Sequence, residues 1–305
     1  MISKPVKKFL ITSVSIATAA ILGGGLLLWY MQDRLIYFPA VPDQFPSSNP
    51  HGYREPIEAG LSFEDVNIKT SDNINLHGWL VKTKTPEESP TVVIFQGNAG
   101  NIGYRIPFLR SLNQECNVNA LIVAYRGYSY SEGKPTEKGL QQDSIAIMDH
   151  VFSRRDIDTN KIFVIGSSLG GAVGVYALSR GKAYNVAGLI LENTFTSMAD
   201  MVDQVMPAVS RLKGLVLANH WESIDRIGKI KAPILFISGL KDELVPPKQM
   251  QRLYDAANNS MFKDKIGVES GTHNDTWYEG GRALFKKLVE FMETAIVMKN
   301  KQPKL

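Results

Sequence analysis

The stretch "KIFVIGSSLGGAVGVYAL", Lys161–Leu178, places two serines inside a cluster of glycines. Its first part, Lys161 to Ile165, is short, β-branched and aromatic, which suits a buried parallel strand. Leu169 to Leu178 holds helix formers and no proline. A strand that turns straight into a helix strains its turn residue. The residues two positions to either side must then be small, so that strand and helix can approach. Gly166 and Gly170 flank Ser168 in the G-x-S-x-G spacing, and Ser167 has no such pair. Ser168 is therefore expected at the tip, above a helix N-terminus whose dipole and free Leu169 N–H favour negative charge. The plainer alternative is a glycine-rich turn whose serines only serve solubility.

Strand-like segments flank this turn at 62–69, 74–82, 91–95, 120–125, 161–166, 187–191, 233–238 and 265–269. The first two read as a hairpin joined at Thr70–Asn73. After them, strands alternate with helical segments. Leu140, Ile147, Met148, Val151 and Phe152 share one helical face, as do Leu284, Leu288, Phe291, Met292, Ala295 and Ile296. This alternation predicts an α/β fold with a mostly parallel eight-stranded sheet covered by helices on both faces. Ligands on such sheets bind at the carboxyl ends of the strands.

That rule selects the partners of Ser168. A serine hydroxyl needs a base, and the base needs an acid to orient it. Of five histidines, His51 lies in a proline-rich stretch, His77 within a strand, His150 on a helix and His220 before a tryptophan. His273, in "ESGTHND", lies just past the last strand and is the expected base. Asp242, in "FISGLKDELVP" after strand 233–238, is the expected acid, with Glu192 in "LILEN" as its rival. The oxyanion of a tetrahedral intermediate needs hydrogen-bond donors. The Leu169 N–H is one. The second is expected from "QGNAGN", where Asn98 is the first choice and Ala99 the next.

"QGNAGNIGYR", "AYRGYSYSEGKPTEKGLQQD", "VIGSSLGGAVG", "ISGLKDELVPP" and "GTHND", spread over most of residues 60–280, resemble the α/β-hydrolase superfamily. More narrowly, they resemble its membrane-anchored bud-emergence-type group, of the thirteen type among α/β-hydrolase domain-containing proteins. The resemblance implies an anchored serine hydrolase without indicating a substrate. The chain departs from the pattern at Gln96, where relatives commonly carry a loop-supporting histidine. A related depalmitoylating group has a cysteine-rich, lipidated N-terminus, and this chain has an apolar stretch there instead.

The 305 residues are 44% hydrophobic and 21% charged, an ordinary globular balance. The exception is Phe9–Tyr30, 22 residues without a charge, enough to span a bilayer core as a helix of ~30 Å. Lys4, Lys7 and Lys8 precede it, so the positive-inside rule puts the N-terminus in the cytosol and the hydrolase domain in a lumen or outside the cell. A single-pass type II protein of an endomembrane or the plasma membrane is expected. A cleaved signal peptide would have an apolar run of only ~7–15 residues. The expected organisation is a basic tail over 1–8, an anchor over 9–30 and a proline-rich segment over 31–60. That segment stands as a stalk or lies strapped along the domain. The hydrolase domain then fills 61–305.

Residues 194–222 form either a short helical lid or simple packing on the sheet. Met198, Met201, Val205, Met206 and Val209 there recur near helical spacing, and a methionine-rich lid would favour acyl or lipid-like substrates. A net charge of +4 with dispersed basic residues gives no indication of nucleic-acid binding. The single cysteine, Cys116, allows no intrachain disulfide. No ligand cluster or nucleotide loop points to a metal or organic cofactor. The partners expected are the bilayer, through residues 9–30, and an acyl ester or thioester substrate. The alternatives are a peptidase or amidase on the same machinery, or a membrane-tethered interaction protein on a hydrolase-like fold.

Overall fold

The computed structural model describes residues 23–180 and 184–301, together with Ser13 and Ser15. Eight strands form one sheet: β1 (Phe63–Lys69), β2 (Asn75–Val81), β3 (Thr91–Phe95), β4 (Asn119–Val123), β5 (Ile162–Ser167), β6 (Gly188–Glu192), β7 (Ile234–Gly239) and β8 (Lys263–Val268). Their spatial order is β1-β2-β4-β3-β5-β6-β7-β8. β1 and β2 are antiparallel, β2 meets β4 antiparallel, and every later pairing is parallel. Each strand lies within two residues of its expected span.

The central strands are mostly apolar because both faces are covered; Thr91, Asn119 and Glu192, the polar residues of β3, β4 and β6, stand at strand ends. β3, β4 and β6 have every residue buried. Helices α2 (Ile106–Cys116) and α9 (Thr276–Asn300) pack against each other on one face. Helices α3 (Glu137–Ser153), α4 (Leu169–Ser179), α7 (Ser223–Ile227) and α8 (Pro247–Ala256) form the other layer. Alternating strands and helices force right-handed crossovers, which bring all the parallel strands' carboxyl ends to one edge.

Between β6 and β7, where the lid was expected, the chain forms α5 (Met198–Val205), a 3-10 turn over Pro207–Leu212 and α6 (Lys213–Val216). It rejoins the domain at Trp221, which is fully buried.

At the other end, a helix over 23–36, here α1, runs past the expected anchor boundary at Tyr30. Residues 9–22 of the expected anchor lie outside the described residues apart from Ser13 and Ser15. Among the described residues no helix is long and apolar enough to cross a membrane. Residues 37–60 do not stand off as a stalk. They lie along the domain, held by Tyr104 Oη donating to Asp43 (2.8 Å) and by mutual amide bonds between Asn49 and Asn101 (2.8 and 2.9 Å). Prolines limit these residues to two short 3-10 helices, Pro46–Ser48 and Pro56–Ala59. Their backbone groups therefore find partners in the domain surface.

Candidate active site

Ser168 has φ +52° and ψ −120°, a conformation costly for a residue with a side chain. The surrounding glycines are obligatory for steric reasons. A Cβ on Gly166 would strike the Gly170 carbonyl, and one on Gly170 would strike the Phe95 carbonyl. The tip is also hydrogen-bonded on both sides. Ser168 N donates to the Glu192 carbonyl (2.9 Å), and its own carbonyl accepts from Thr194 Oγ1 (2.6 Å).

Three expected side chains meet here. His273 Nε2 lies 3.0 Å from Ser168 Oγ, and His273 Nδ1 lies 2.7 Å from Asp242 Oδ2. A carboxylate cannot donate, so Nδ1 carries the proton and Nε2 is left to accept from the serine. The other Asp242 oxygen, Oδ1, accepts from the backbone N–H groups of Leu244 (3.0 Å) and Val245 (2.8 Å). The loop after β7 thus folds around the carboxylate, which is buried, while the imidazole side chain keeps 12% of its surface exposed.

Glu192, the rival acid, stands elsewhere. It ends β6 directly opposite Ser167 in the register and is hydrogen-bonded to the Ser167 side chain. Burial pushes its carboxyl above the ordinary range, opposed by that bond and by the charges of His273 and Arg105. The other histidines are dispersed. His77 pairs with Asp65 (2.9 Å) at the antiparallel edge, and His150 lines a separate groove of about 690 Å³ between β1 and α3. His51 and His220 are exposed.

The loop after β3 lies over the serine: a Cβ on Gly97 would come 3.9 Å from Ser168 Cβ. The Asn98 N–H has no acceptor among the described residues, while its carbonyl takes two bonds, from Phe38 N (2.9 Å) and Tyr128 Oη (2.7 Å). The Asn98 side chain donates to the Ile36 carbonyl (2.7 Å). Leu169 begins α4, so its N–H is among those without an intrahelical acceptor. Gln96, where the histidine was expected to support the loop, does so through its backbone: its carbonyl accepts from Tyr125 Oη (2.9 Å). Its buried side-chain amide has no partner among the described residues.

Asn193 escaped the sequence reading. Its side chain accepts from Gly239 N (2.8 Å) and donates to the Thr272 carbonyl (3.0 Å) and Thr276 Oγ1 (2.8 Å). One amide thereby ties the ends of β6 and β7 to the loop carrying His273. Its backbone sits at φ +44°, a region asparagine tolerates, and no local spacing in the sequence marks it.

A cavity of about 410 Å³ opens beside Ser168. Phe195, Met198, Met201 and Met206 form its cap side, and Leu35 and Ile36 close it from α1. The methionines expected to line a lid are therefore placed at the serine.

Comparison with known proteins agrees with this architecture. The model of the prolyl oligopeptidase family matches residues 124–274. The chain is 38% identical over 297 residues to the α/β hydrolase domain-containing protein WAV2 of Arabidopsis thaliana, covering 92% of this chain and 94% of that one. It is 36% identical over 267 residues to protein bem46 of Schizosaccharomyces pombe, covering 87% of each. An esterase of Pyrococcus furiosus shares the fold with a TM-score of 0.66 at 21% identity, over 79% of this chain and 94% of that one. With the serine turn, the sheet order and these two relatives in agreement, the chain belongs to the α/β-hydrolase family that includes WAV2 and bem46.

Proposed function

We propose that this hydrolase cleaves carboxylic esters or thioesters of acyl, lipid-like substrates through an acyl-enzyme on Ser168, and that residues 9–30 anchor it in a membrane. The observation that carries the chemistry is the line Ser168 Oγ, His273, Asp242 at 3.0 and 2.7 Å, with the serine held at positive φ. His273 Nε2 takes the hydroxyl proton as Oγ bonds to the carbonyl carbon. The N–H groups of Leu169 and Asn98 receive the oxyanion. His273 then passes its proton to the leaving alcohol or thiol as the carbonyl–leaving-group bond breaks. Water, deprotonated by the same nitrogen, releases the acid and restores the serine. Asp242 holds the tautomer throughout and stabilises the imidazolium.

The match to the prolyl oligopeptidase family supports a second reading, cleavage of amides by the same three residues. The apolar walls beside Ser168, on which Lys213 is the one charged residue among the described residues, favour the acyl ester. Three lysines before residue 9 favour a cytosolic N-terminus and a lumenal or extracellular hydrolase domain.

The test is labelling with a fluorophosphonate probe, alongside hydrolysis of p-nitrophenyl butyrate and the matching anilide. Ser168→Ala abolishes labelling and lowers kcat by ~10⁵-fold or more. Ser167→Ala leaves both in place. Labelling that persists in Ser168→Ala overturns the assignment, and a preference for the anilide replaces the esterase reading with the peptidase one.

A further inference from the structure

The cavity beside Ser168 has an unusual wall. α1 lines it with Leu28, Leu35 and Ile36, and Phe38 follows at the mouth. This helix is fastened to the far end of the cap. Gln32 donates to the Val216 carbonyl (2.5 Å) and accepts from Ala218 N (2.7 Å) and Asn219 N (3.2 Å). Tyr37 Oη donates to Asn219 Oδ1 (2.8 Å) and accepts from Trp221 Nε1 (3.0 Å). Both tyrosine and tryptophan are buried, so the joint is rigid.

The opposite face of α1 is apolar and uncovered up to Tyr30, and the exposed Arg34 follows one turn later. Leu26, Leu27, Trp29 and Tyr30 are 53–73% exposed. The rim of the cavity is of the same character. Leu35, Phe38, Val205, Met206 and Leu244 line the cavity and are nonetheless 36–54% exposed. An apolar rim joined to an apolar helix face is a poor surface to leave in water. What covers it is indicated by the chain itself. The exposed face of α1 is the continuation of the uncharged sequence that starts at Phe9, and it ends in Trp29 and Tyr30, residues suited to a membrane interface.

We propose that the mouth of the Ser168 cavity docks on the bilayer that holds the N-terminal segment, and that the substrate is a bilayer-resident amphiphile whose acyl chain passes into the cavity without crossing water. The proposal rests on the serine-hydrolase reading for its chemistry and on the anchor for its geometry. The bolts from Gln32 and Tyr37 fix the cap and α1 in one orientation, so the rim and the outer face of α1 meet the bilayer together. A methylene fills roughly the ~30 Å³ of a liquid water molecule, so a cavity of about 410 Å³ takes an acyl chain of roughly a dozen carbons. Each methylene leaving one apolar medium for another has little transfer free energy to gain. The bilayer route therefore works by raising the local concentration of substrate at the mouth and by sparing the chain any exposure to water.

The test uses the full chain reconstituted in phosphatidylcholine vesicles. In a Cys116→Ala background, an environment-sensitive fluorophore is attached at Val205→Cys, Leu244→Cys or Leu212→Cys, three exposed positions on or near the rim. Glu88→Cys, exposed at the opposite edge of the sheet, is the control. Lipid carrying spin labels on its acyl chains is expected to remove more than half of the emission at the rim positions and almost none at 88. Equal, weak quenching at all four positions overturns the docking. In the second arm, a phospholipid bearing one dodecanoyl ester, which does not leave its bilayer on the assay timescale, is placed either in the enzyme's own vesicles or in separate vesicles of the same composition. Hydrolysis is expected at least ~10-fold faster when enzyme and ester share a bilayer. Equal rates from shared and separate vesicles overturn entry from the bilayer. Fluorophosphonate labelling is read on every sample. Its absence would remove the hydrolase reading while the quenching still reported the docking, so the two failures are distinguishable.

Discussion

Asp242→Asn is the perturbation whose size the structure fixes best. The carboxylate has two jobs on its two oxygens: Oδ1 accepts from Leu244 N and Val245 N, and Oδ2 faces His273 Nδ1 at 2.7 Å. An amide has one oxygen and one NH₂. If the oxygen faced His273, the NH₂ would confront two backbone donors in a buried pocket, losing two hydrogen bonds at about 1 kcal/mol or more each. The amide therefore keeps its oxygen on the loop and turns its NH₂ to His273. Nδ1 must then accept, the ring proton moves to Nε2, and Nε2 can no longer take the proton of Ser168. Loss of the correct tautomer lowers kcat by ~10⁴-fold, or about 5 kcal/mol of transition-state stabilisation. The loop stays folded because Oδ1 keeps its two donors. Glu192→Gln, by contrast, alters a group bonded to Ser167 and costs less than ~10-fold. It also acts on stability. The carboxyl of Glu192 is raised in the folded state, so the folded protein holds its proton more tightly than the unfolded chain. That stability is full below the ordinary glutamate range and is lost as pH rises through the folded value. Glu192→Gln removes this loss and flattens the curve above that range. The assay is kcat for p-nitrophenyl butyrate across a pH series, with urea denaturation over the same pH values as the control for folding. A Glu192→Gln enzyme more impaired than Asp242→Asn would refute the assignment of the acid.

Replacing Met198, Met201 and Met206 together by serine removes apolar contacts along the cavity. It should lower kcat/KM on a dodecanoyl ester about ten- to a hundredfold more than on acetate; equal losses on both would mean that the three methionines serve packing alone. Arg126 donates from its backbone and side chain to the fully buried Asp143 (2.8 Å each) and forks onto Asp72 (2.7 and 3.0 Å). Arg126→Ala strands a buried carboxylate and is expected to cost ~3–5 kcal/mol in urea denaturation, with no change in substrate preference. Two N-x-[ST] sequons report orientation. Asn258 lies in an exposed turn between α8 and β8, whereas Asn274 adjoins His273 and its sequon hydroxyl, on Thr276, is fully buried and hydrogen-bonded. In a eukaryotic host, a glycan is expected at Asn258 and none at Asn274, read as an endoglycosidase mobility shift lost in Asn258→Gln; digestion of the hydrolase domain by protease added to intact microsomes would instead place it in the cytosol.

The turn at Ser168 was legible from Lys161–Leu178 because its constraints are local. A strand running directly into a helix leaves no room for side chains at 166 and 170, and only one serine has glycine at both positions. The strands were legible for a related reason. Burial on both faces makes each parallel strand a continuous apolar run, and the rule of carboxyl ends then places His273 and Asp242 near Ser168 without any knowledge of the sheet order. The choice between Asp242 and Glu192 was not settled at that level, since both follow strands of the same sheet. The tertiary structure separates them by register: Glu192 stands opposite Ser167, while β7 and β8 are neighbours and bring the loops of Asp242 and His273 together. The Asn193 bolt and the grip of Ile36 and Phe38 on Asn98 were likewise invisible, because each joins residues tens of positions apart through single amides that leave no periodic trace. Spacing along the chain encodes what neighbouring residues do to one another. The wall that α1 gives to the cavity depends on contacts such as that of Gln32 with Val216, 184 positions later, which close only when the chain between them has folded.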